Sequence, residues 1–550
     1  MPPSVPSPTA SVPWRRDLAL LALVFGVIYL FGLGSYPLGN PDEGRYAEIP
    51  REMAVSGDWV TPHLNGVNYF EKPPLVYWMV AGSYRLFGDS ELAMRLVPAL
   101  FALGGVLLTY AAGRRLYGRF AGLAAAAVLG SSILYFALGH ILLLDMVVSV
   151  LMSATLFCFI LGVQEPPGTR RRWFFYGLYA SAALATLTKG LMGFLLTGAV
   201  MFLWLLVCDQ WKRLRPLHLP SGVALFLAIA APWHILAALH NETWVQRYLV
   251  YEHFQRFLTP AASRPGKWHY FIWVVIAGLI PWTALLWPAV REALRGGWAR
   301  RREKSVDWFF VIWAGFIFLF FTKSQSKLPT YILPIFPALA VLIGAWLART
   351  EQAPDGAARL RRAFWPVALT TALLAAALGV ILLKPSLVRM DAGQAAQLHT
   401  PVFLMAAVLL CGGLLVQWLL RRFGLRAALA GGVLTMALFF AGVIATAPEL
   451  QKPGTKELAK LVVRRARPGD RVMHYHEFFH DFTFYAGRVV DVVNYKGELE
   501  LEEDAAARAS GRFLSEAEFR RLWNGPTRLW VVARQSDVKE LFDDPAFRFP

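Results

Sequence analysis

The residues best suited to chemistry lie in one stretch, Gly39 to Trp78, between two long hydrophobic runs. The stretch combines aromatic side chains with acids and bases, namely Asp42, Glu43, Arg45, Tyr46, Glu48, Glu71 and Lys72. Charged groups at the border of a membrane are costly unless they serve a site or face water. A carboxylate placed there can position or deprotonate an acceptor, and fixed cations can stabilise an anionic leaving group.

Two aspartates are the candidate catalytic residues. Asn40-Pro41-Asp42 resembles a helix start with Asn40 as the N-cap, so Asp42 has a capping interpretation. Capping requires one acid, whereas Asp42 stands among several charged neighbours, and we therefore favour catalysis. Asp145 lies roughly one helical turn inside the outer end of an apolar run. An acid at that depth faces a cavity or pairs with a cation, so its alternative is a structural salt bridge.

Glu71-Lys72-Pro73-Pro74 cannot continue a helix through its prolines and predicts a rigid turn. Lys72 can hold a phosphate as a point charge. Glu71 can pair with Lys72, or can bind a divalent metal together with His253. One acid and one distant histidine carry little spacing information, so the sequence requires no metal or other cofactor.

Further bases stand near the same border. Arg256, in the loop after His253, suits a phosphate, with lipid-headgroup contact as the alternative. Lys327 and Tyr331 are four residues apart and are predicted to share a helix face, although Tyr331 also fits an interfacial aromatic belt. Lys189 adds another positive charge. Together with Arg45 and Lys72, these bases imply an anionic ligand presented from the membrane.

The composition requires a membrane around these residues. The chain has 550 residues, 56% of them hydrophobic, and a mean hydropathy of +0.44, which is typical of a polytopic membrane protein. The net charge of +18 sits in short basic clusters, which indicate topology rather than nucleic-acid binding. We predict about 13 spans, near residues 17–35, 91–112, 120–139, 141–163, 173–189, 191–208, 221–239, 269–290, 307–322, 329–348, 364–383, 401–420 and 427–446.

The basic clusters alternate with these spans. Each falls before the first span or after an even-numbered one, at Arg15-Arg16, Arg114-Arg115, Arg170-Arg171-Arg172, Lys212-Arg213, Arg300-Arg301-Arg302, Arg361-Arg362 and Arg421-Arg422. The positive-inside rule then predicts a cytoplasmic N-terminus and an extracytoplasmic C-terminus. The candidate site residues all collect on the outer face. Because nucleotide sugars are cytoplasmic, a transferase working there needs a donor carried on a lipid.

From about Pro448 the composition changes to charged and alternating. Runs beginning at Arg471, Arg488 and Arg528 predict short strands, while Thr455–Arg465 and Ser515–Trp523 predict amphipathic helices. We therefore divide the chain into a transmembrane part, 1–447, and a small soluble α/β domain outside the membrane, 448–550. His476-Glu477-Phe478-Phe479-His480 matches the H-E-x-x-H zinc pattern, but a zinc site needs a helix there, and the flanking residues favour a strand-to-loop segment.

The segments Pro41-Asp42-Glu43, Arg45-Tyr46, Tyr69-Phe70-Glu71-Lys72-Pro73, Asp145-Met146, Thr188-Lys189-Gly190 and Lys327-Leu-Pro-Thr-Tyr331 resemble the membrane glycosyltransferases of the C-type (GT-C) fold, the bacterial relatives of protein O-mannosyltransferases. The resemblance runs from the first span to Tyr331, and the soluble domain is placed as in that family. It implies a polytopic α-helical fold with extracytoplasmic juxtamembrane helices and a donor linked to a polyprenyl phosphate.

Within the family the sequence is most similar to the transferases that move 4-amino-4-deoxy-L-arabinose from undecaprenyl phosphate to lipid A phosphates at the periplasmic face of the inner membrane, which confers polymyxin resistance. Two residues depart from that pattern, because Gly44 stands where Thr is expected and Pro74 gives the EKPPL of the wider family. Another sugar or acceptor is the first alternative. The rival class, a lipid transporter or flippase, predicts charges near the bilayer midplane and inverted repeats, neither of which the sequence displays.

Overall fold

The computed structural model describes residues 14–255, 266–388, 390–450, 454–494, 497, 499 and 504–543. The helices of the membrane part are α1 (Trp14–Leu30), α2 (Asp42–Ser56), α3 (Leu75–Phe87), α4 (Glu91–Tyr117), α5 (Arg119–Gly130), α6 (Ile133–Gly139), α7 (Leu144–Gln164), α8 (Thr169–Lys189), α9 (Met192–Cys208), α10 (Leu219–His240), α11 (Tyr270–Gly278), α12 (Leu286–Ala293), α13 (Ser305–Lys323), α14 (Phe336–Glu351), α15 (Gly356–Leu383), α16 (Ala392–Phe423) and α17 (Leu425–Leu450). A π-helix covers Val245–Gln255, and short 3-10 helices cover Trp211–Leu214, Trp282–Leu285, Gly297–Arg300, Pro329–Ile335 and Pro385–Val388.

Among the described residues, eight helical segments are long and apolar enough to cross a membrane, which makes the chain a multi-pass membrane protein. They are α4, α7, α10, α13, Pro329–Glu351, α15, α16 and α17. Two bent pairs bring the number to 10 if each is one span: α5 with α6, bent by 66°, and α11 with Trp282–Ala293, bent by 108°. The other predicted spans correspond to α1, α8 and α9, so the count of about 13 stays a prediction.

The helices differ in how much protein surrounds them. In α7 and in Pro329–Glu351, 89% and 94% of the apolar window is buried inside the protein, whereas α15 buries 17%. A helix that is apolar all round and buried belongs to the centre of a bundle, and one that is apolar but uncovered faces lipid. The bundle centre therefore lies at α7 and at Pro329–Glu351, which carry Asp145 and Tyr331 near the ends predicted to face outward.

Arg95 of α4 holds the first outer loop against the bundle. This loop, residues 36–90, is the first long connection that the basic clusters predict to lie on the outer face. The wholly buried Arg95 guanidinium donates to Glu43 Oε1 and Oε2, both at 2.8 Å. It also donates, at 2.7–2.9 Å, to the carbonyl oxygens of the α1–α2 connection, at Leu33, Tyr36 and Pro37. Glu43 in turn accepts from the backbone N–H groups of Gly39 at 2.8 Å and Leu142 at 2.9 Å. One buried ion pair thus joins α2, α4 and the segment that leads into α7.

The C-terminal part contains a four-stranded parallel sheet of order β5-β4-β3-β6. Its strands are β3 (Arg471–Tyr475), β4 (Asp491–Val493), β5 (Phe513–Leu514) and β6 (Leu529–Val532). Its helices are α18 (Lys456–Arg465), α19 (His480–Ala486), α20 (Ala505–Ala509), α21 (Glu516–Trp523) and α22 (Gln535–Asp543). The strands predicted near Arg471, Arg488 and Arg528 and both amphipathic helices are present, and α21 begins with a capping box of Ser515 and Glu518.

This C-terminal part shares a hydrophobic core with the first outer loop. Ile49 and Met53 of α2 pack in one cluster with Val472, Phe478 and Phe482. A hairpin of β1 (His63–Leu64) and β2 (Val67–Asn68) turns at Asn65-Gly66, both with positive φ. The buried Asn65 side chain donates to the Val490 carbonyl at 3.0 Å and accepts from the Val490 N–H at 2.8 Å. The first outer loop is therefore held between the bundle and the C-terminal sheet.

Replacing Arg95 by Met should destabilise the protein by about 3–5 kcal/mol, because Glu43 would become a buried charge without its cation. Thermal unfolding of the detergent-purified protein measures the effect. The control is Arg115→Met, which removes an exposed ion pair with Glu165 and should cost at most about 1 kcal/mol. Equal unfolding temperatures for the two variants would contradict the role given to Arg95.

Candidate active site

Asp42 and Arg45 form an ion pair in the first turns of α2. They are three residues apart and so share one helix face, with Arg45 Nη2 3.0 Å from Asp42 Oδ1. The arginine side chain is buried, whereas 48% of the Asp42 side chain is exposed. The second guanidinium nitrogen lies 3.4 Å from the Tyr69 hydroxyl. Asp42 therefore presents its carboxylate outward, where an acceptor can reach it, against a fixed positive charge.

The start of α2 differs from the predicted capping arrangement. In the described structure Pro41 occupies the N-cap position and supplies no side-chain cap, so the prediction that Asn40 is the N-cap is wrong. The Asn40 side chain instead donates to the Asp481 carboxylate in the C-terminal part. The Asn40 side chain therefore bonds to a residue that is distant in the sequence, and not to the N-terminus of α2 as the local pattern predicts.

Tyr46 packs between Arg45 and Tyr77. Its ring stacks on Tyr77 at 6.2 Å, and the Arg45 guanidinium carbon is 5.7 Å from its ring centre. Burial raises the pKa of the Tyr46 hydroxyl, Arg45 opposes this shift, and the negative charges of Glu71, Asp42 and Asp145 raise it further. Three carboxylates predicted from separate parts of the sequence thus act electrostatically on one tyrosine hydroxyl.

Glu71 and Lys72 stand in the turn before α3, as the two prolines predict. Lys72 Nζ donates to the Glu71 carbonyl oxygen at 2.8 Å and lies 3.8 Å from the Glu71 carboxylate. Its shorter carboxylate contact is to Glu252 Oε2, at 3.1 Å. Glu252 lies in the π-helix Val245–Gln255. The sequence interpretation did not single it out, although it directly precedes His253. Lys72 therefore already holds an anionic partner that a phosphate can replace.

Asp145 and Lys189 meet at the outer ends of α7 and α8. Lys189 Nζ donates to Asp145 Oδ1 at 2.6 Å, and it lies 5.1 Å from the ring centre of Tyr331. The structural alternative for Asp145, a salt bridge with a cation, is thus confirmed. Asp145 and the Asp42–Arg45 pair both act electrostatically on the Tyr46 hydroxyl.

Lys327 is placed differently from the prediction. The helix that contains Tyr331 begins at Pro329, so Lys327 precedes it and shares no helix face with Tyr331. The lysine is buried, and its Nζ donates to the Ser324 carbonyl at 2.6 Å, at the end of α13. Pro329 lacks an N–H and begins the helix, which explains why the four-residue spacing was misleading.

Two predicted residues lie beyond what the structure describes. Arg256 falls outside the described residues, and the His253 side chain is likewise not described. Within the described ranges, no group of three or more His, Cys, Asp or Glu residues could hold a metal ion. A divalent metal held by Glu71 and His253 therefore stays a prediction.

The H-E-x-x-H segment is a strand-to-loop connection, as predicted, and not a zinc helix. His476 follows β3 with a positive φ of 57°, and its Nε2 lies 3.3 Å from Glu516 Oε2. Glu477 pairs with Arg534, whereas His480 begins α19. The two histidines therefore have different neighbours and cannot share one helix face.

The structure brings in one element that the sequence interpretation missed, the first turn of α19. His480 is buried, and burial lowers its pKa to about 3, with the positive charge of Arg45 acting in the same direction. Gly44 lies against this turn, since a Cβ on it would be 2.4 Å from the Asp481 nitrogen. A glycine where the resemblance led us to expect threonine is thus explained by close backbone packing.

Comparison with known proteins defines the class. The family described as dolichyl-phosphate-mannose-protein mannosyltransferase matches residues 71–236. The crystal structure of ArnT from Cupriavidus metallidurans bound to undecaprenyl phosphate matches with a TM-score of 0.85 and 29% sequence identity, covering 98% of this chain and 96% of that one. The chain belongs to the membrane glycosyltransferases of the C-type fold.

Curated relatives narrow the similarity within that class. The undecaprenyl phosphate-alpha-4-amino-4-deoxy-L-arabinose arabinosyl transferase of Edwardsiella ictaluri is 33% identical over 330 residues, 60% of this chain and 59% of that protein. The transferase of the same name from Pectobacterium carotovorum is 34% identical over 379 residues, 67% of this chain and 66% of that protein. The alignments thus span 59% and 66% of the lengths of these two relatives.

The fold between β3 and β4 should weaken in acid. Burial lowers the pKa of both His474 and His480 to about 3, so the unfolded segment binds more protons between that pH and the ordinary histidine value of 6.5. Stability is then complete above the ordinary value and is lost as the pH falls below it. Hydrogen-exchange protection of residues 471–493 should drop at least about tenfold from pH 7.5 to 5.

Two variants test the origin of this acid sensitivity. His480→Gln should reduce the loss of protection, because it removes one group that must stay neutral in the folded state. His476→Gln, at a partly exposed histidine of the same segment, should leave the loss unchanged. Protection that does not depend on pH in the parent protein would contradict the prediction.

Proposed function

We propose that this protein transfers 4-amino-4-deoxy-L-arabinose from undecaprenyl phosphate to phosphate groups of lipid A. The carrying observation is a set of three neighbouring charge pairs: Asp42 lies 3.0 Å from Arg45, Glu71 lies 3.8 Å from Lys72, and Asp145 lies 2.6 Å from Lys189. The three carboxylates also act electrostatically on Tyr46. The names of the curated relatives and the ligand of the matching ArnT crystal structure support the choice of donor. Lipid A is the acceptor that this activity implies.

The proposed reaction is a displacement at the anomeric carbon of the sugar. The bond from that carbon to the carrier phosphate breaks with its electron pair going to the phosphate, and an acceptor oxygen forms the new bond. Arg45 and Lys72 would stabilise the negative charge on the leaving phosphate. Lys72 would exchange its contact with Glu252 for the donor phosphate, so the cation is already oriented by the protein before the reaction.

Asp42 would position the acceptor from its exposed carboxylate. If the acceptor is a phosphate anion, little proton abstraction is required and orientation dominates. Asp145, held by Lys189, would face the sugar hydroxyls or its cationic amino group.

The proposal places this chemistry on the periplasmic side of the bacterial inner membrane. The basic loops support a cytoplasmic N-terminus, with the first outer loop and the C-terminal part on the opposite side. In that orientation the donor lipid enters from the outer leaflet, and the apolar helices beside the site accommodate its prenyl tail. The soluble part, 448–550, then forms the outer cover of the site.

The function is tested by incubating the purified protein with defined polyprenyl-phosphate sugars and lipid A in liposomes, with mass spectrometry as the readout. We expect aminoarabinose to be added to lipid A from undecaprenyl phosphate, and Asp42→Asn to lower turnover at least about 10²-fold. Folding should be retained, since the Asp42 side chain is half exposed. Near-normal turnover of the variant would exclude the role of Asp42, and transfer of a different sugar would redefine the donor.

Lys72→Ala should weaken donor use, because the donor phosphate would lose its point-charge contact. We expect about a tenfold or greater loss in kcat/KM for the donor, which corresponds to a charge-assisted hydrogen bond of about 1.5–3 kcal/mol. Lys304→Ala is the matched control, because this lysine lies near Glu292 in the loop predicted to be cytoplasmic. Unchanged kinetic constants in Lys72→Ala would count against phosphate contact.

A further inference from the structure

The first turn of α19 and the residues before α2 are joined by a pair of hydrogen bonds. Asn40 Nδ2 donates to Asp481 Oδ1, and the Asp481 backbone N–H donates to Asn40 Oδ1 at 3.1 Å. The other carboxylate oxygen of Asp481 accepts from the Thr455 N–H at 2.7 Å. Asp481 is wholly buried, whereas Asn40 lies at the surface. The side chain of a surface asparagine thus donates to the buried carboxylate of Asp481 and accepts from the backbone N–H of the same residue.

A second contact holds α2 from the other side of Asp42. The Gly44 Cα faces the backbone of His480 and Asp481 so closely that an added Cβ would lie 2.4 Å from the Asp481 nitrogen and 2.7 Å from the His480 carbonyl carbon. Asn40 and Gly44 are each two residues from Asp42 in the chain. The same turn of α19 therefore contacts the backbone on both sides of the proposed catalytic carboxylate.

These contacts matter because the Asp42 side chain is lightly restrained, whereas the backbone beside it is anchored through Glu43 and Arg95. The Asp42 side chain is half exposed, and its described ion pair is with Arg45. In the described structure α2 takes no side-chain cap at its N-terminus, so its first turn depends on contacts outside the helix. A displacement of about 1 Å at a positioning contact can cost on the order of 10²-fold in rate.

We propose that Asn40 and Asp481 are positioning residues through which the C-terminal part fixes the direction of Asp42 toward the acceptor. The inference rests on the proposed function, because it assigns these residues a role in the same transfer reaction. It treats the soluble part as a component of the active site rather than as an appended cover. It also predicts that loss of this link changes turnover more than donor binding.

The first experiment measures the steady-state kinetics of two variants. Each variant removes the hydrogen bonds that one side chain makes between α19 and the rest of the protein. Asn40→Ala should lower kcat at least about tenfold while the KM for the donor stays within about twofold, because the donor cations are not moved. The control is Tyr485→Phe, which removes contacts of the same helix to the Leu38 N–H at 2.7 Å and to Glu91 at 3.0 Å. Its kcat should stay within about twofold of the parent.

A double exchange separates positioning from general destabilisation. In Asn40→Asp with Asp481→Asn, the new aspartate can accept from the residue 481 N–H and from the new side-chain amide, while the amide oxygen still accepts from Thr455. We expect each single exchange to lose kcat and the double variant to recover most of it. Equal losses in Asn40→Ala and Tyr485→Phe, or losses that follow the unfolding temperature, would overturn the proposal.

A cysteine-labelling experiment tests the link between Asn40 and Asp481 without using the sugar. Cysteine introduced by Asp42→Cys is modified with a maleimide in the purified protein, and mass spectrometry follows the rate at position 42. Adding Asn40→Ala should change that rate at least about threefold, and adding Tyr485→Phe should not. If the parent transfers no aminoarabinose but the labelling differs as expected, the proposed function fails and the positioning link stands. An unchanged labelling rate in Asn40→Ala overturns the link.

Discussion

The buried contact between Arg95 and Glu43 is the constraint on which the outer face depends. The five N–H groups of the guanidinium are matched by two carboxylate oxygens and three backbone carbonyls. A charge pair at this depth is tolerable because its hydrogen-bonding capacity is used. Glu43 directly follows Asp42, so one residue of α2 faces inward to a rigid anchor while its neighbour faces outward. The contact between Glu43 and Arg95 therefore fixes the backbone position of Asp42, the proposed catalytic residue.

In the part of the candidate site that the structure describes, three cations each pair with a carboxylate. Arg45 contacts Asp42, Lys72 contacts Glu252, and Lys189 contacts Asp145. Pairing of this kind lets ionised groups sit close to a low-dielectric region without a large desolvation cost. An incoming anion then replaces a protein carboxylate as the partner of one of these cations. It does not enter a pocket with excess positive charge. Such a site favours a ligand that offers both a phosphate and groups that the released carboxylate can bind.

The sequence was informative where the pattern is local. Apolar runs located the helical segments, Pro73-Pro74 located the turn that carries Glu71 and Lys72, and alternation located the C-terminal strands. The sequence misled where a distant partner competes with a local one. Asn40 fits an N-cap but binds Asp481, 441 residues away. Lys327 lies before the helix that starts at Pro329 and contains Tyr331. Glu252 and Arg95 were overlooked because no spacing relates them to Lys72 or Glu43.

The core shared by α2, the β1–β2 hairpin and the C-terminal sheet has a consequence for biosynthesis. The hairpin residue Asn65 bonds to Val490, 425 positions later, so the first outer loop cannot reach its final packing while the ribosome is still producing the membrane helices. Contacts of such long sequence separation form late in folding. The bundle can therefore insert while the candidate site stays incomplete. Polypeptides released before the C-terminal part is made would reach the bilayer without the contacts that hold the first outer loop.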